Sequence, residues 1–185
     1  EELAKRVCTF VMADCPKVVV DLAFVIDGST TIGRQNFEKY KGFIGKILDN
    51  FAISETGTRV AVVQYASQVR EEFSLNEHFS RDQVNIGLEN IQWMTGNTHT
   101  DAALNHLVDY TFTRDHGGRP EIQDLVIFLT DGKAQNHRAV EVASQRLKEK
   151  TFFGLFSEKL TTDYLTSFAT PNADKLQTTL CQPKT

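Results

Sequence analysis

The chain of 185 residues carries a formal charge of -4 at neutral pH, with 24% charged and 41% hydrophobic residues. This is the composition of a globular domain with a core of its own, and it lacks the basic excess that a nucleic-acid binder needs to displace counterions from phosphates. No apolar stretch approaches the roughly 20 residues of a membrane-spanning helix, so neither nucleic acid nor a membrane span is expected.

The opening EELAKRVCTF lacks the long apolar region of a signal peptide, and the chain reads as a mature fragment. Residues 1–14 are taken as an N-terminal extension and residues 15–185 as one domain. Cys15 precedes the first apolar run and Cys181 lies near the end, where a disulfide would tie the two ends together in an oxidising compartment. Cys8 is then unpaired or bonded outside the chain. The alternative is three reduced thiols in a cytosolic protein.

Val18–Ile26 (VVVDLAFVI) is almost continuously aliphatic, as expected of a strand covered on both faces of a parallel sheet. Gln35–Phe51 places Phe37, Tyr40, Ile44, Ile47, Leu48 and Phe51 at helical spacing. Thr58–Tyr65 is a second strand, and the alternating Val69–Phe73 pairs with it as a hairpin at the sheet edge. A helix capped by Ser80 follows, with an apolar face of Val84, Ile86, Leu88 and Ile91. A loop through Met94 to Thr98 leads to a helix from Asp101 to about Tyr110, on Ala102, Leu104, Leu107 and Val108. DHGGRPE is turn chemistry. Then come strand Leu125–Leu129, helix Ala139–Lys148, strand Phe152–Phe156, a short helix Thr162–Phe168 and a final short strand near Lys175–Thr179. The alternation predicts an α/β fold of three layers. Its doubly wound, Rossmann-like sheet is mainly parallel with one antiparallel edge strand, and helices cover both faces.

In such sheets ligands bind beyond the carboxyl ends of the strands. Two strands end alike, in FVIDGSTT with Asp27 at the tip and in VIFLTDGK with Asp131, while the loop before the Asp101 helix offers Thr98 and Thr100. Residues two apart in an extended segment face the same way, so Asp27, Ser29 and Thr31 converge, with Gly28 permitting the turn. Carboxylates and hydroxyls without histidine or thiolate suit a hard cation: Mg2+, with Mn2+ or Ca2+ as substitutes. His99, between the two threonines, and Asp101 complete a candidate ligand rim with Thr98. Asp101 also suits the positive end of its helix. Trp93 and Met94 are assigned to core packing.

DGSTT (Asp27–Thr31), GNTHTDAAL (Gly96–Leu104), GGRP (Gly117–Pro120) and LVIFLTDGKAQN (Leu125–Asn136) occur in this order. Together they resemble a von Willebrand factor type A domain of the extracellular-matrix kind, as in collagen VI and the matrilins. The resemblance implies a metal-ion-dependent adhesion site in which Asp27, Ser29 and Thr31 form the first motif, Thr100 the second and Asp131 the third. Thr31 stands where the family usually has serine. It also implies a secreted, non-enzymatic module that binds matrix proteins such as collagen through an acidic residue completing the cation's coordination. Two other functions compete. One is a matrix-assembly module with a weak or vestigial metal site. The other is a magnesium phosphotransferase, disfavoured because Ser29 stands where the second acid of such enzymes is needed and because phosphate-loop and nucleophile-elbow motifs are absent.

Overall fold

The computed structural model describes residues 19–130 and 136–148, and the backbone of 152–156. Cys8, Cys15, Cys181, Asp131, the expected helix Thr162–Phe168 and the expected strand Lys175–Thr179 lie outside the described residues.

Five strands are described: β1 (Val20–Asp27), β2 (Arg59–Tyr65), β3 (Val69–Phe73), β4 (Gln123–Leu129) and β5 (Phe152–Phe156). Their spatial order is β3-β2-β1-β4-β5, with every pair parallel except the β2–β3 hairpin. The helices are α1 (Arg34–Leu48), α2 (Arg81–Asn90), α3 (Thr100–His106) and α4 (His137–Lys148), with a single 3-10 turn at Arg114–His116. This is the three-layer, mainly parallel architecture with one antiparallel edge strand. Every residue of β1 is buried, because the strand is central and has a helical layer on each side.

Strand parity sorts the core into two halves. Leu22, Phe24, Ile26, Val60, Val62, Ile127 and Leu129 point to the layer of α1 and α2, against Phe37, Ile44, Ile47, Val84 and Leu88. Ala23, Val25, Val63, Tyr65, Val126 and Phe128 point to α3 and α4, against Leu104, Leu107, Val140 and Leu147. Trp93 packs against the first half, as expected.

Two expected core positions are corrected. Ile86 is 59% exposed. Val84 and Leu88, four residues apart, define the packing face of α2, and a residue two positions from each falls on the opposite side. Ala102 is exposed for the same reason, since Ala103, Leu104 and Leu107 set the inward face. The expected reach of this helix to about Tyr110 holds, although its α-helical part ends at His106. At Leu107–Thr111 it widens into a π-helical turn, with Phe112 N–H donating to the Leu107 carbonyl at 3.2 Å.

Ser80 does cap α2, accepting from the Gln83 amide at 3.3 Å. In the β2–β3 ladder Val62 pairs with Phe73 while Val63 pairs with Glu71, so Glu72 is the extra residue of a bulge.

The amino end of the sheet is closed by an ion pair. The carboxylate of Asp21, fully buried, accepts from Arg119 three times: the backbone N–H at 2.8 Å, Nε at 2.9 Å and Nη2 at 2.6 Å. Arg119 Nη2 also reaches the Gly57 carbonyl at 2.8 Å. The GGRP segment makes this approach possible. Gly117 has φ 91, and a Cβ on Gly118 would stand 2.2 Å from the Phe112 carbonyl oxygen.

Asp124 sits opposite Asp21 in the β1–β4 register. Burial, reinforced by the Asp21 carboxylate, raises its pKa to about 7. The folded state therefore holds this proton more tightly than the unfolded chain, and the contribution to stability is lost as pH rises from about 4 through 7. Asp124→Asn is expected to flatten that dependence. At pH 8 it should exceed the parent in urea-denaturation stability by about 1 kcal/mol, a figure reduced because the group is only half-buried and solvent screens it. Below about pH 4 the two proteins should match.

Candidate metal centre

Asp27 ends β1 at the carboxyl edge of the sheet and is fully buried. Its Oδ1 accepts the Ser29 amide at 2.8 Å, an Asx turn that swings the chain out of the strand. Its Oδ2 accepts Thr130 Oγ1 at 3.1 Å. The carboxylate is thereby fixed in orientation by its own exit loop on one side and by the end of neighbouring β4 on the other. Gly28 is required between Asp27 and Ser29, because an added Cβ would meet Gln64 Oε1 at 2.3 Å.

Beyond the turn the side chains alternate. Ser29 is fully buried, and its Oγ lies 3.0 Å from Thr31 Oγ1 at the exposed mouth. The methyl of Thr31 does not prevent the two hydroxyls from converging. Thr30 takes a different role. Its N–H donates to the Gly96 carbonyl at 3.0 Å and its Oγ1 accepts the Gly96 amide at 2.9 Å, stapling this loop to the one that carries the threonines.

That second loop is held from inside β2. Gln64, fully buried, accepts the Met94 amide at 2.8 Å and donates to the Gln92 carbonyl at 2.9 Å and to Glu72 at 2.6 Å. The loop then turns through Thr95 at φ 63 and Gly96 at φ 117, and the His99 amide donates to the Ala66 carbonyl at 3.1 Å. A threonine at positive φ is strained backbone, here fixed by bonds on either side. Thr100 opens α3 and is 8% exposed. Of the expected rim, His99 and Asp101 are half-exposed, whereas Thr98 is 6% exposed and lies beneath the surface. Asp101 makes no capping bond; it places a charge in the first turn of α3, one residue inside the helix start.

Three residues of the site escaped the sequence reading: Gln64, Thr130 and Tyr65. Tyr65 is the register partner of Asp27 across β1 and β2, is fully buried, and packs its ring 5.3 Å from Phe128. Asp27, Thr100 and Thr130 are the polar side chains that act on its hydroxyl. Burial, and next the Asp27 carboxylate, pushes the phenol well above its ordinary range, so it stays protonated. Among the described residues the hydroxyl makes no hydrogen bond. The available signal was parity: Tyr65, like Asp27 and Thr130, continues the rows facing α3 and α4.

The edge thus presents one oriented carboxylate and several hydroxyls, and Asp131 follows Thr130 directly in the chain. Among the described residues no group of three or more His, Cys, Asp or Glu side chains could hold a metal. A cation held by the described residues would draw on the Asp27 carboxylate and on alcohol oxygens, which is the chemistry of a hard ion that keeps some of its water. The unpartnered hydroxyl beside Asp27 and Thr100 fits such a hydrated ion, because it leaves a polar contact to be made.

A mainly parallel sheet with helices on both faces, and an aspartate-hydroxyl cluster at the carboxyl end of its central strand, define an α/β module whose candidate site lies above β1. The chain belongs to the von Willebrand factor type A domain family, whose profile matches residues 21–176. It is 40% identical over 136 residues to the transmembrane cell adhesion receptor mua-3 of Caenorhabditis elegans, covering 71% of this chain and 4% of that protein. It is 37% identical over 132 residues to human matrilin-1, covering 71% of this chain and 26% of the relative. The chain thus spans about a quarter or less of these two relatives. Among solved structures it resembles proximal thread matrix protein 1 from the mussel byssus, with a zinc-occupied MIDAS motif. The TM-score is 0.76 at 24% identity, over 91% of this chain and 48% of that one. Among the described residues no helix is long and apolar enough to cross a membrane.

Proposed function

We propose that the chain is a non-enzymatic adhesion module of the extracellular matrix that binds matrix proteins, collagen among them, through a divalent cation. The domain runs from Cys15 to the last residue, after a short extension. Asp27, Ser29, Thr31, Thr100 and Asp131 hold the ion, which is Mg2+, with Mn2+ or Ca2+ able to replace it. His99 and Asp101 lie where a partner would touch the rim. The observation that carries this reading is the Asp27 carboxylate, oriented by Ser29 N and Thr130 Oγ1 beside the paired hydroxyls of Ser29 and Thr31. The zinc-occupied MIDAS motif of the mussel protein and the adhesion and matrix names of the relatives support it.

When bound, the ion supplies an electrophilic position that an aspartate or glutamate of the partner completes. The protein's part is to orient Asp27, to bring Thr100 to the same edge through the Thr30–Gly96 staple, and to keep the site accessible at Thr31. Binding of the chain to immobilised collagen and other matrix proteins tests the proposal. Magnesium should permit it, a chelator should abolish it, and Asp131→Ala should abolish it with magnesium present. Binding that is indifferent to all three would sink the reading.

A further inference from the structure

A tyrosine hydroxyl buried without a partner is costly, since its water is removed and not replaced. A phenylalanine of the same shape would pack against Phe128 equally well and avoid that loss. The hydroxyl of Tyr65 is nevertheless placed among Asp27, Thr100 and Thr130, at the carboxyl edge and opposite Asp27 in the β1–β2 register. Two other interior polar groups of this edge are engaged: Gln64 makes three hydrogen bonds and Thr130 bonds Asp27.

We propose that Tyr65 is a positioning residue of the cation site, its hydroxyl donating to a water of the bound ion's shell between Asp27 and Thr100. The inference rests on the metal-site reading above and deepens it. Groups behind a metal's direct ligands fix both ligand orientation and bound water, and losing one typically lowers affinity by about 10- to 100-fold. Because this hydroxyl arrives by the shortest route, from the neighbouring strand rather than from a loop, it is held rigidly whether or not the ion is present.

The test compares the parent with Tyr65→Phe by two measurements on the full chain: calorimetric titration with magnesium chloride, and urea denaturation in chelator. The variant should bind magnesium roughly tenfold more weakly while its metal-free form is as stable as the parent or more so. A purely structural hydroxyl would give the opposite pair, unchanged affinity and lower metal-free stability. Equal magnesium affinity in a parent and variant that both bind overturns the role of Tyr65 and leaves the metal site standing. A metal-free variant less stable than the parent overturns it whatever the affinity, because the hydroxyl then had a partner in the protein. A parent that takes up no magnesium overturns both readings together.

Discussion

Asp27→Asn should leave the domain folded and remove its response to divalent cations. In the parent, magnesium at a hundred times its dissociation constant should raise unfolding stability by about 2.7 kcal/mol, the linkage expected of a ligand that binds only the native state. In the variant the increment should vanish, seen as superimposable thermal unfolding curves with magnesium and with chelator. The substitution is nearly isosteric, and the amide oxygen can still accept the Ser29 amide that now bonds Oδ1 at 2.8 Å. What disappears is the negative charge that a hard cation requires, while the Thr130 hydroxyl, which now donates to Oδ2, turns to accept from the new amide NH2. A fully buried carboxylate costs more to desolvate than an amide, so the metal-free variant should be no less stable than the parent. A magnesium-dependent shift of parental size in the variant would show that Asp27 does not hold the ion.

The second large effect is expected at the opposite end of β1. Arg119→Met should cost about 3–5 kcal/mol, because it strands the Asp21 carboxylate in the interior with the backbone amide of residue 119 as the donor that remains from the present set. Urea denaturation would read this as a lower midpoint with an unchanged slope. The paired variant Asp21→Asn with Arg119→Met should recover much of the loss, since removing both charges removes the uncompensated one. Its magnesium response should match the parent's, because the pair lies at the amino edge of the sheet and the candidate centre at the carboxyl edge. A loss below 1 kcal/mol for the single change would mean that water reaches Asp21 after all.

The two predictions rest on parts of the chain that were unequally legible. Strand β1 was readable because an aliphatic run with few polar residues has few solutions other than a central parallel strand. Asp27, Ser29 and Thr31 were readable because the interruption of such a run by an acid and alternating hydroxyls is conspicuous. Thr130 and Tyr65 were not, since each stands in or at the end of an apolar strand where a hydroxyl has no pattern to mark it. Their significance depends on the register that sets Tyr65 opposite Asp27 and Thr130 beside it, and register is a property of pairs of strands. Arg119 was read as part of a turn. Its actual partner lies 98 residues away, and no local spacing encodes that. Ile86 shows the converse error, in which hydrophobicity was counted and its angle around the helix was not.

The bulge at Glu72 bears on how such modules live side by side. Among the described residues strand β3 is an edge, and an unbroken edge offers its free amides and carbonyls to any passing strand, its own copies included. Here the extra residue interrupts the ladder, and Arg70, Glu71 and Glu72 crowd the interruption with charge. Where copies of such a module are crowded together, a border of this kind is a poor template for sheet growth. Association is left to side-chain surfaces, where it can be selective and reversible.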